Sequence, residues 1–443
     1  MREVIAGVML SALVACGYEE PPAEQRAMTG VESPLIDPAR IDSTLSGFIE
    51  RAELVGVSAL VFEDGDEAYF GAFGMADREA GLPMRRDTLI RIFSMTKPVT
   101  GVVLMTFYDD GLFDLDDPLE KHLPEYKDVA VYAGEEEEGE VLLRAPARPP
   151  TVRDILRHTA GFASGDAGDD GWVSARYREV EPVSIDNTLE QMSAKLASVP
   201  LDFEPGTRWR YGPSVDVQAR LVEVLSGKPY EVVLQERVLG PLGMANTQYT
   251  LRPEQRDRLS ALYDRKPDGS FERVPDEIAL AFNIQERPLK PGGWGLTSTL
   301  DDYMRFTRML LNGGALDGVR ILNPETVKLM ATDSLPPGLT DRSWLVNKGQ
   351  VGFGIDFAVR VAPPANQAEA SGAVGEFFWD GLANTLFWVD PENDIAAVLF
   401  NHYWPFGKTE IQKEFRDAVY YRNAAATALN KAPAEPDSPR LSD

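Results

Sequence analysis

In this 443-residue chain the pair of residues best spaced for chemistry is Ser94 and Lys97, in Ser94-Met95-Thr96-Lys97. A serine hydroxyl is a weak nucleophile. It needs a base within hydrogen-bond reach and donors for the oxyanion that forms when it attacks a carbonyl. A separation of three puts both side chains on one helical face, and the N-terminus of that helix adds a positive field that favours the alkoxide. Pro98 fixes the placement, because proline is accommodated only in a first helical turn. The helix therefore begins close to Ser94, at the end of the apolar run Leu89-Ile90-Arg91-Ile92-Phe93. Ser-x-x-Lys alone is a weak motif in a chain of this length, so its weight depends on its surroundings.

The elements that must position this pair are legible in outline. After a helix expected from about Asp42 to Glu53, Val57–Phe62 and Glu67–Gly74 read as strands joined by Asp64-Gly65-Asp66. The last third repeats that character in Val351–Ile355, Asn384–Val389 and Ile395–Phe400, the last two separated by Asp390-Pro391-Glu392-Asn393-Asp394. Helical patterns lie between, over Val99–Asp110, Val152–His158, Val215–Ser226 and Thr299–Leu311. Lone hairpins are not stable, so both chain ends must build one antiparallel sheet while the middle forms a second lobe. The expected fold class is α+β, with the sheet flanked by helices beside a mainly helical lobe. A domain of residues 41–430 is expected, its α/β lobe from about 41–95 and 345–430 and its helical lobe from about 96–344.

Composition excludes several functions. The chain carries 44 Lys and Arg against 70 Asp and Glu, a net charge of −26, which works against affinity for nucleic acid or anionic membranes. The dense acidic run Glu135 to Glu138 reads as a solvated loop. There is no Gly-x-Gly-x-x-Gly, no Walker loop and no His/Cys cluster, and His122, His158 and His402 are the only histidines, so neither a cofactor nor a metal is expected. His158 invites a Ser-His-Asp triad, but no Gly-x-Ser-x-Gly elbow occurs and a structural role is expected for it. The single cysteine, Cys16, excludes an internal disulfide and follows an apolar stretch from Val4 to Ala15 preceded by Arg2. Leu13-Val14-Ala15-Cys16-Gly17 resembles a bacterial lipobox, which implies a signal peptide over 1–16 and lipidation at Cys16. Residues 17–40, rich in proline and charge, then read as a flexible tether and 431–443 as a disordered tail. The expectation is an exported protein held on the periplasmic side of a bacterial envelope, touching membrane only through the lipid.

Around and after Ser94 the chain resembles the serine β-lactamase superfamily, with its class C enzymes, family VIII carboxylesterases and penicillin-binding proteins. The resemblance runs from about Val55 to Phe400. It is carried by Arg91-Ile92-Phe93-Ser94-Met95-Thr96-Lys97-Pro98, Leu115-Asp116-Asp117-Pro118, the stretch Thr151-Val152-Arg153-Asp154-Ile155-Leu156-Arg157-His158-Thr159-Ala160-Gly161, and Pro241-Leu242-Gly243-Met244. It implies a β-lactamase/transpeptidase-like fold and a third catalytic residue, Tyr211, opening a helix in Trp209-Arg210-Tyr211-Gly212-Pro213. Phenols in general titrate near pH 10, so a tyrosine base needs the lysine charge beside it. The family's strand motif, often Trp-Gly-Gly in the esterases, is matched by Trp379-Asp380-Gly381, with Asp380 a departure and the motif placed before a strand. By that alignment the N–H groups of Ser94 and Leu382 form the oxyanion hole, Gly381 keeps the backbone approachable and Trp379 borders the substrate. Gly292 to Thr299 matches a glycine-rich approach to a helix capped by Thr299, with Trp294 placed to line the cleft.

Two departures bear on substrate. β-Lactamases place an asparagine two residues beyond the tyrosine and a lysine at the start of the strand motif; here those positions hold Pro213 and Trp379. The amide and carboxylate handles for an antibiotic are thereby absent, and Arg208 and Arg210 are the cations able to replace the charge. The reading is a serine hydrolase forming an acyl-enzyme on Ser94, a carboxylesterase acting on small-molecule esters. β-Lactam hydrolysis and D-amino-acid peptidase or transpeptidase action on an amide are rivals within the same chemistry. A non-catalytic, lipid-anchored binding protein is the rival from another class.

Overall fold

The structure, a computed structural model, describes residues 35–136, 139–164, 171–279 and 282–421. Cys16, the signal-peptide stretch and the tail over 431–443 lie outside the described residues, as does most of the expected tether.

In chain order the elements that matter here are α1 (Pro38–Glu50), β1 (Gly56–Glu63), β2 (Asp66–Asp77), β3 (Leu82–Pro83), α2 (Thr96–Asp109), α3 (Val152–Leu156), α4 (Ser214–Ser226) and α5 (Leu300–Leu311). They are followed by β4 (Val351–Phe353), β5 (Ala358–Arg360), β6 (Phe377–Asp380), β7 (Leu386–Asp390), β8 (Ile395–Phe400) and α6 (Ile411–Val419). The strands form one eight-stranded sheet in the order β4-β5-β6-β7-β8-β1-β2-β3. β1 pairs antiparallel with β2 on one side and with β8 on the other, Ser58 facing Phe400 and Glu63 facing Ile395. The two chain ends therefore do share a sheet, and its centre is apolar on both faces: β7 and β8 are buried at every position. The β7–β8 turn is closed by Asp390, whose carboxylate accepts the N–H groups of Glu392 (3.0 Å) and Asn393 (3.2 Å).

Alternation along β7 sends neighbouring rings to opposite faces. Phe387 meets Tyr303 and Phe306 of α5, at ring centroids 5.2 and 6.3 Å, whereas Trp388 meets Phe415 of α6 at 5.4 Å. α5 is thus a sheet-covering helix, although its sequence position lies inside the stretch expected to be helical lobe. Its cap is as expected, with the Thr299 side chain accepting the Asp302 N–H. α1 begins at Pro38 behind an Asp37 cap, inside the stretch expected to be tether. The middle also holds antiparallel strand pairs, among them Val131–Glu135 with Val141–Arg144 and Tyr263–Arg265 with Phe271–Arg273, so Glu135 of the acidic run is a strand residue rather than loop.

α2 runs through the interior. All of its residues from Thr96 to Phe107 are buried, so it shows no polar face. It starts at Thr96, close to Ser94 as Pro98 requires and three residues before the Val99–Asp110 pattern, placing Lys97 and Pro98 in its first turn, while Ser94 sits in the 3₁₀ turn Phe93–Met95 that leads into it. Gly101 is required at the crossing with the loop after β4, because a Cβ there would stand 2.5 Å from Asp356 Oδ2.

A second organising node is Asp154, fully buried in α3. Its Oδ1 accepts from Thr159 Oγ1 (2.9 Å), Arg148 Nη2 (3.0 Å) and Arg157 Nη2 (3.1 Å), and its Oδ2 from the Thr151 N–H (3.0 Å) and hydroxyl (2.9 Å). Burial pushes this carboxyl's pKa up, but Arg148, the Thr151 N–H and Arg157 outweigh it and the net shift is downward. The node holds the turn at His158, which has φ +59°. From that turn hangs the segment leading to Tyr211: the N–H of Arg210 donates to the His158 carbonyl (3.0 Å) and that of Gly206 to the Thr159 carbonyl (2.8 Å).

Two outcomes are expected. Asp154→Ala, which strands the two guanidinium groups around it, should cost about 3 kcal/mol of unfolding free energy in urea titrations. A loss below about 1 kcal/mol would show that other contacts hold the turn. His402, buried against Tyr263 with Nε2 3.0 Å from the Met75 carbonyl, has its pKa lowered from 6.5 to about 4, first by burial and then by the Arg91 charge. A depressed folded value means that stability is present above pH 6.5 and is lost as pH falls towards 4, at about 1.4 kcal/mol per pH unit. Between pH 7 and pH 5 the wild type should lose more stability than His402→Gln; parallel losses would contradict this.

Candidate active site

The nucleophile's segment is clamped from three directions. Ile92 N–H donates to the Leu296 carbonyl (3.0 Å), Leu296 N–H to Thr96 Oγ1 (3.3 Å), and the Tyr303 hydroxyl of α5 to the Met95 carbonyl (2.8 Å). The short ladder of Ile90–Arg91 with Thr297–Ser298 extends the same seam. Phe93 has φ +45°, a left-handed conformation that costs a non-glycine residue energy and is held here by these contacts.

Lys97 is buried, 6% exposed. Its Nζ stands 3.4 Å from Ser94 Oγ and donates to the Gly293 carbonyl at 2.8 Å. On its other side it lies 4.3 Å from the centre of the Tyr211 ring. Lys97 therefore meets both of the other residues singled out from sequence, Ser94 and Tyr211, although Tyr211 precedes α4 by three residues instead of opening it. The tyrosine is also held. Trp379 Nε1 donates to its phenol oxygen at 3.3 Å, and its ring is walled by His158 at 5.0 Å, Trp344 at 5.1 Å and Trp379 at 5.5 Å.

His158 is buried, and burial followed by the Lys97 charge drives its pKa well below 6.5. It is a neutral ring packed against Trp209, Tyr211 and Phe353, in keeping with a structural role. Gly293 was not recognised as a functional position by sequence reasoning, which treated its loop as a helix approach. Its carbonyl holds Lys97, and its N–H donates to Asp216 Oδ1 (3.0 Å) on the inner face of α4. A Cβ at 293 would stand 3.2 Å from Lys97 Nζ, and one at 292 would collide with the Val215 carbonyl, so the paired glycines were the available signal. Burial pushes the Asp216 pKa up while Lys97 and the Gly293 N–H oppose it, and the net shift is upward. Asp356, also buried on this side of Lys97, is raised well above the ordinary carboxyl value by burial.

Trp379 and Asp380 are the last residues of β6, a strand not read from sequence, and Gly381 begins the turn that leads to β7, the strand expected after the motif. Gly381 N–H donates to the Thr385 carbonyl (3.0 Å), which closes that turn and leaves Leu382 47% exposed at its tip. A side chain at 381 would collide with the Ile92 carbonyl, two residues before Ser94. The glycine thus lets the end of β6 approach the nucleophile's segment. Trp379 itself is 1% exposed and is both a core aromatic and the donor to Tyr211.

Two recesses adjoin these residues. A small, mainly apolar cavity of about 120 Å³ is lined by Phe93, next to Ser94, and by Trp294, next to Gly293, with Leu262, Phe282 and Trp404, and Arg91 and Asn283 contribute to its wall. A larger one of about 440 Å³ lies beside Trp344 and β6. Arg208 pairs with Asp341 (3.3 Å) and Arg210 with Asp202 (3.7 Å), so the cations considered as replacement handles carry carboxylate partners already. A cation that sequence reasoning did not find, Lys348, sits 4.9 Å from the Trp379 ring and is ion-paired with Asp380.

The family described as Beta-lactamase matches residues 41–420. The uncharacterized protein MT1414 of Mycobacterium tuberculosis is 34% identical over 363 residues, 80% of this chain and 86% of that protein. Esterase EstB of Burkholderia gladioli is 29% identical over 404 residues, 87% of this chain and 95% of its own length. Among solved structures, EstCE1, a hydrolase with promiscuous acyltransferase activity, superposes with a TM-score of 0.70 at 25% identity, covering 86% of this chain and 98% of its own. The matches take in the shared sheet, the buried helix behind Ser94 and the segment bearing Tyr211, and on these grounds the chain belongs to the Beta-lactamase family and is a serine hydrolase.

Proposed function

We propose that the protein is a carboxylesterase that acts through an acyl-enzyme on Ser94. The observation that carries this reading is the position of Lys97 Nζ, 3.4 Å from Ser94 Oγ and against the face of a tyrosine whose hydroxyl is fixed by Trp379. In the first half-reaction Ser94 Oγ forms a bond to the ester carbonyl carbon, and its proton passes to the Lys97–Tyr211 pair. The carbonyl oxygen becomes an oxyanion that the N–H groups of Ser94 and Leu382 are assigned to hold, each such donor being worth roughly 3 kcal/mol of barrier. Collapse breaks the bond to the alcohol, which leaves with the stored proton. Water then repeats the sequence on the acyl-enzyme, the same pair taking its proton, and the free acid departs.

An ester is favoured over a β-lactam because Pro213 and Trp379 stand where β-lactamases carry their amide and ammonium handles, and Lys348, Arg208 and Arg210 are each committed to a carboxylate. The apolar cavity beside Phe93 and Trp294 suits a short acyl chain. Two relatives agree with this chemistry, EstB being named an esterase and EstCE1 a hydrolase with promiscuous acyltransferase activity.

With p-nitrophenyl butyrate, Ser94→Ala should lower kcat/KM by about a thousandfold or more, and Tyr211→Phe by roughly a hundredfold or more. The wild type should turn over the ester faster than nitrocefin. Equal ester turnover by wild type and Ser94→Ala would remove the assignment, and faster nitrocefin turnover would move it to β-lactams.

A further inference from the structure

Behind Lys97 lies a buried carboxyl that the acyl-transfer steps do not touch. Asp216 stands in the first turn of α4, on its inner face, and is 4% exposed. Its Oδ1 accepts the Gly293 N–H at 3.0 Å, and the carbonyl of that same glycine accepts from Lys97 Nζ at 2.8 Å. A Cβ placed on Gly293 would stand 3.2 Å from Lys97 Nζ and 3.3 Å from Asp216 Oδ2, so ammonium and carboxylate face each other across one α carbon. The Thr100 hydroxyl of α2 donates to the Gly292 carbonyl at 2.7 Å and ties the loop down from the side.

Charged and titratable groups reach this point from several elements. On the far side of Lys97 are Ser94, the Tyr211 phenol and the neutral ring of His158. Around Asp216 are the phenols of Tyr230 and Tyr249, both raised first by burial and further by the Asp216 charge. The loop after β4 brings Asp356. Gln218 Nε2 donates to its Oδ1 at 3.1 Å, but its Oδ2 is buried without a hydrogen-bond partner among the described residues, and burial drives its pKa well up, which favours the neutral acid. Asp216 is raised by burial as well, but there the Lys97 charge and the Gly293 N–H oppose the rise. Of the two carboxyls on this side of Lys97, Asp216 is therefore the one equipped to carry a negative charge. The attraction is mutual, so a lysine charge that favours the carboxylate is favoured by it equally.

We infer that Asp216 is a positioning residue for the hydrolysis: its carboxylate is the counter-charge of Lys97 and, through the Gly293 N–H, aims the carbonyl that seats the ammonium group beside Ser94 Oγ. It touches no reacting atom and acts only through Lys97. The inference rests on the Ser94 acyl-enzyme reading and adds a residue to it.

Asp216→Asn leaves an oxygen for the Gly293 N–H and nearly the same volume while removing the charge. With p-nitrophenyl butyrate at about pH 8 it should lower kcat about tenfold or more and leave KM within about twofold, since residue 216 never meets the substrate. The wild-type kcat/KM should fall on the acid side with a midpoint above the ordinary carboxyl range, as Asp216 takes up a proton, and that limb should be missing over the same range in the variant. The profiles are read only where circular dichroism shows the protein folded. A kcat for Asp216→Asn within about twofold of wild type, or one acid limb shared by both proteins, would overturn the inference. A wild-type profile flat through that range would overturn it even if the variant fails to fold. In each of these cases, turnover that still requires Ser94 leaves the hydrolase reading standing; equal turnover by Ser94→Ala removes both.

Discussion

The structure depends on burying one lysine beside one serine. An ammonium group taken out of water loses several kcal/mol of hydration unless its surroundings replace it. Around Lys97 the replacement consists of one backbone carbonyl, one hydroxyl, one aromatic face and the buried carboxyl of Asp216 behind them. Each requires something of the chain. The carbonyl of Gly293 can approach only because residues 292 and 293 have no side chains. The hydroxyl is in place because a 3₁₀ turn precedes α2 and is pinned by Tyr303. The aromatic face is there because the Asp154 node and the His158 turn carry the segment that ends in Tyr211.

The same arrangement explains why the site is walled by rings. His158, Trp209, Trp344, Phe353 and Trp379 form a continuous layer around the tyrosine. Such a layer keeps bulk water from the lysine and strengthens each charge-assisted contact inside it. Lys348, Arg208 and Arg210 near it are each paired with a carboxylate.

Much of this was legible in the sequence where local chemistry is decisive. Pro98 placed the helix start, Thr299 capped α5 as expected, and the alternating runs at the two ends gave the strands that share the sheet. Tyr211, Trp379 and Gly381 came from resemblance, and the contacts among them are long-range ones that no periodicity encodes. What was not legible follows the same rule. Lys348 and Asp380 are 32 positions apart and Asp216 and Gly293 are 77 apart, so neither pair has a spacing signature. α5 was assigned to the wrong layer because a helix pattern shows which face is apolar but not whether a sheet or a helix covers it. The strand carrying Trp379 was not read at all, because Phe377, Phe378 and Trp379 show no alternation, a consequence of burial on both faces, whereas the strand expected after the motif is β7.

The central claim is that Lys97 activates Ser94, and the measurement closest to it is the rate and site of covalent capture by a fluorophosphonate, followed by intact-protein and peptide mass spectrometry. The account predicts a single adduct, on the peptide containing Ser94, formed at least about a hundredfold more slowly in Lys97→Met. An adduct on another residue, or capture of Ser94 at an equal rate without the lysine, would contradict it.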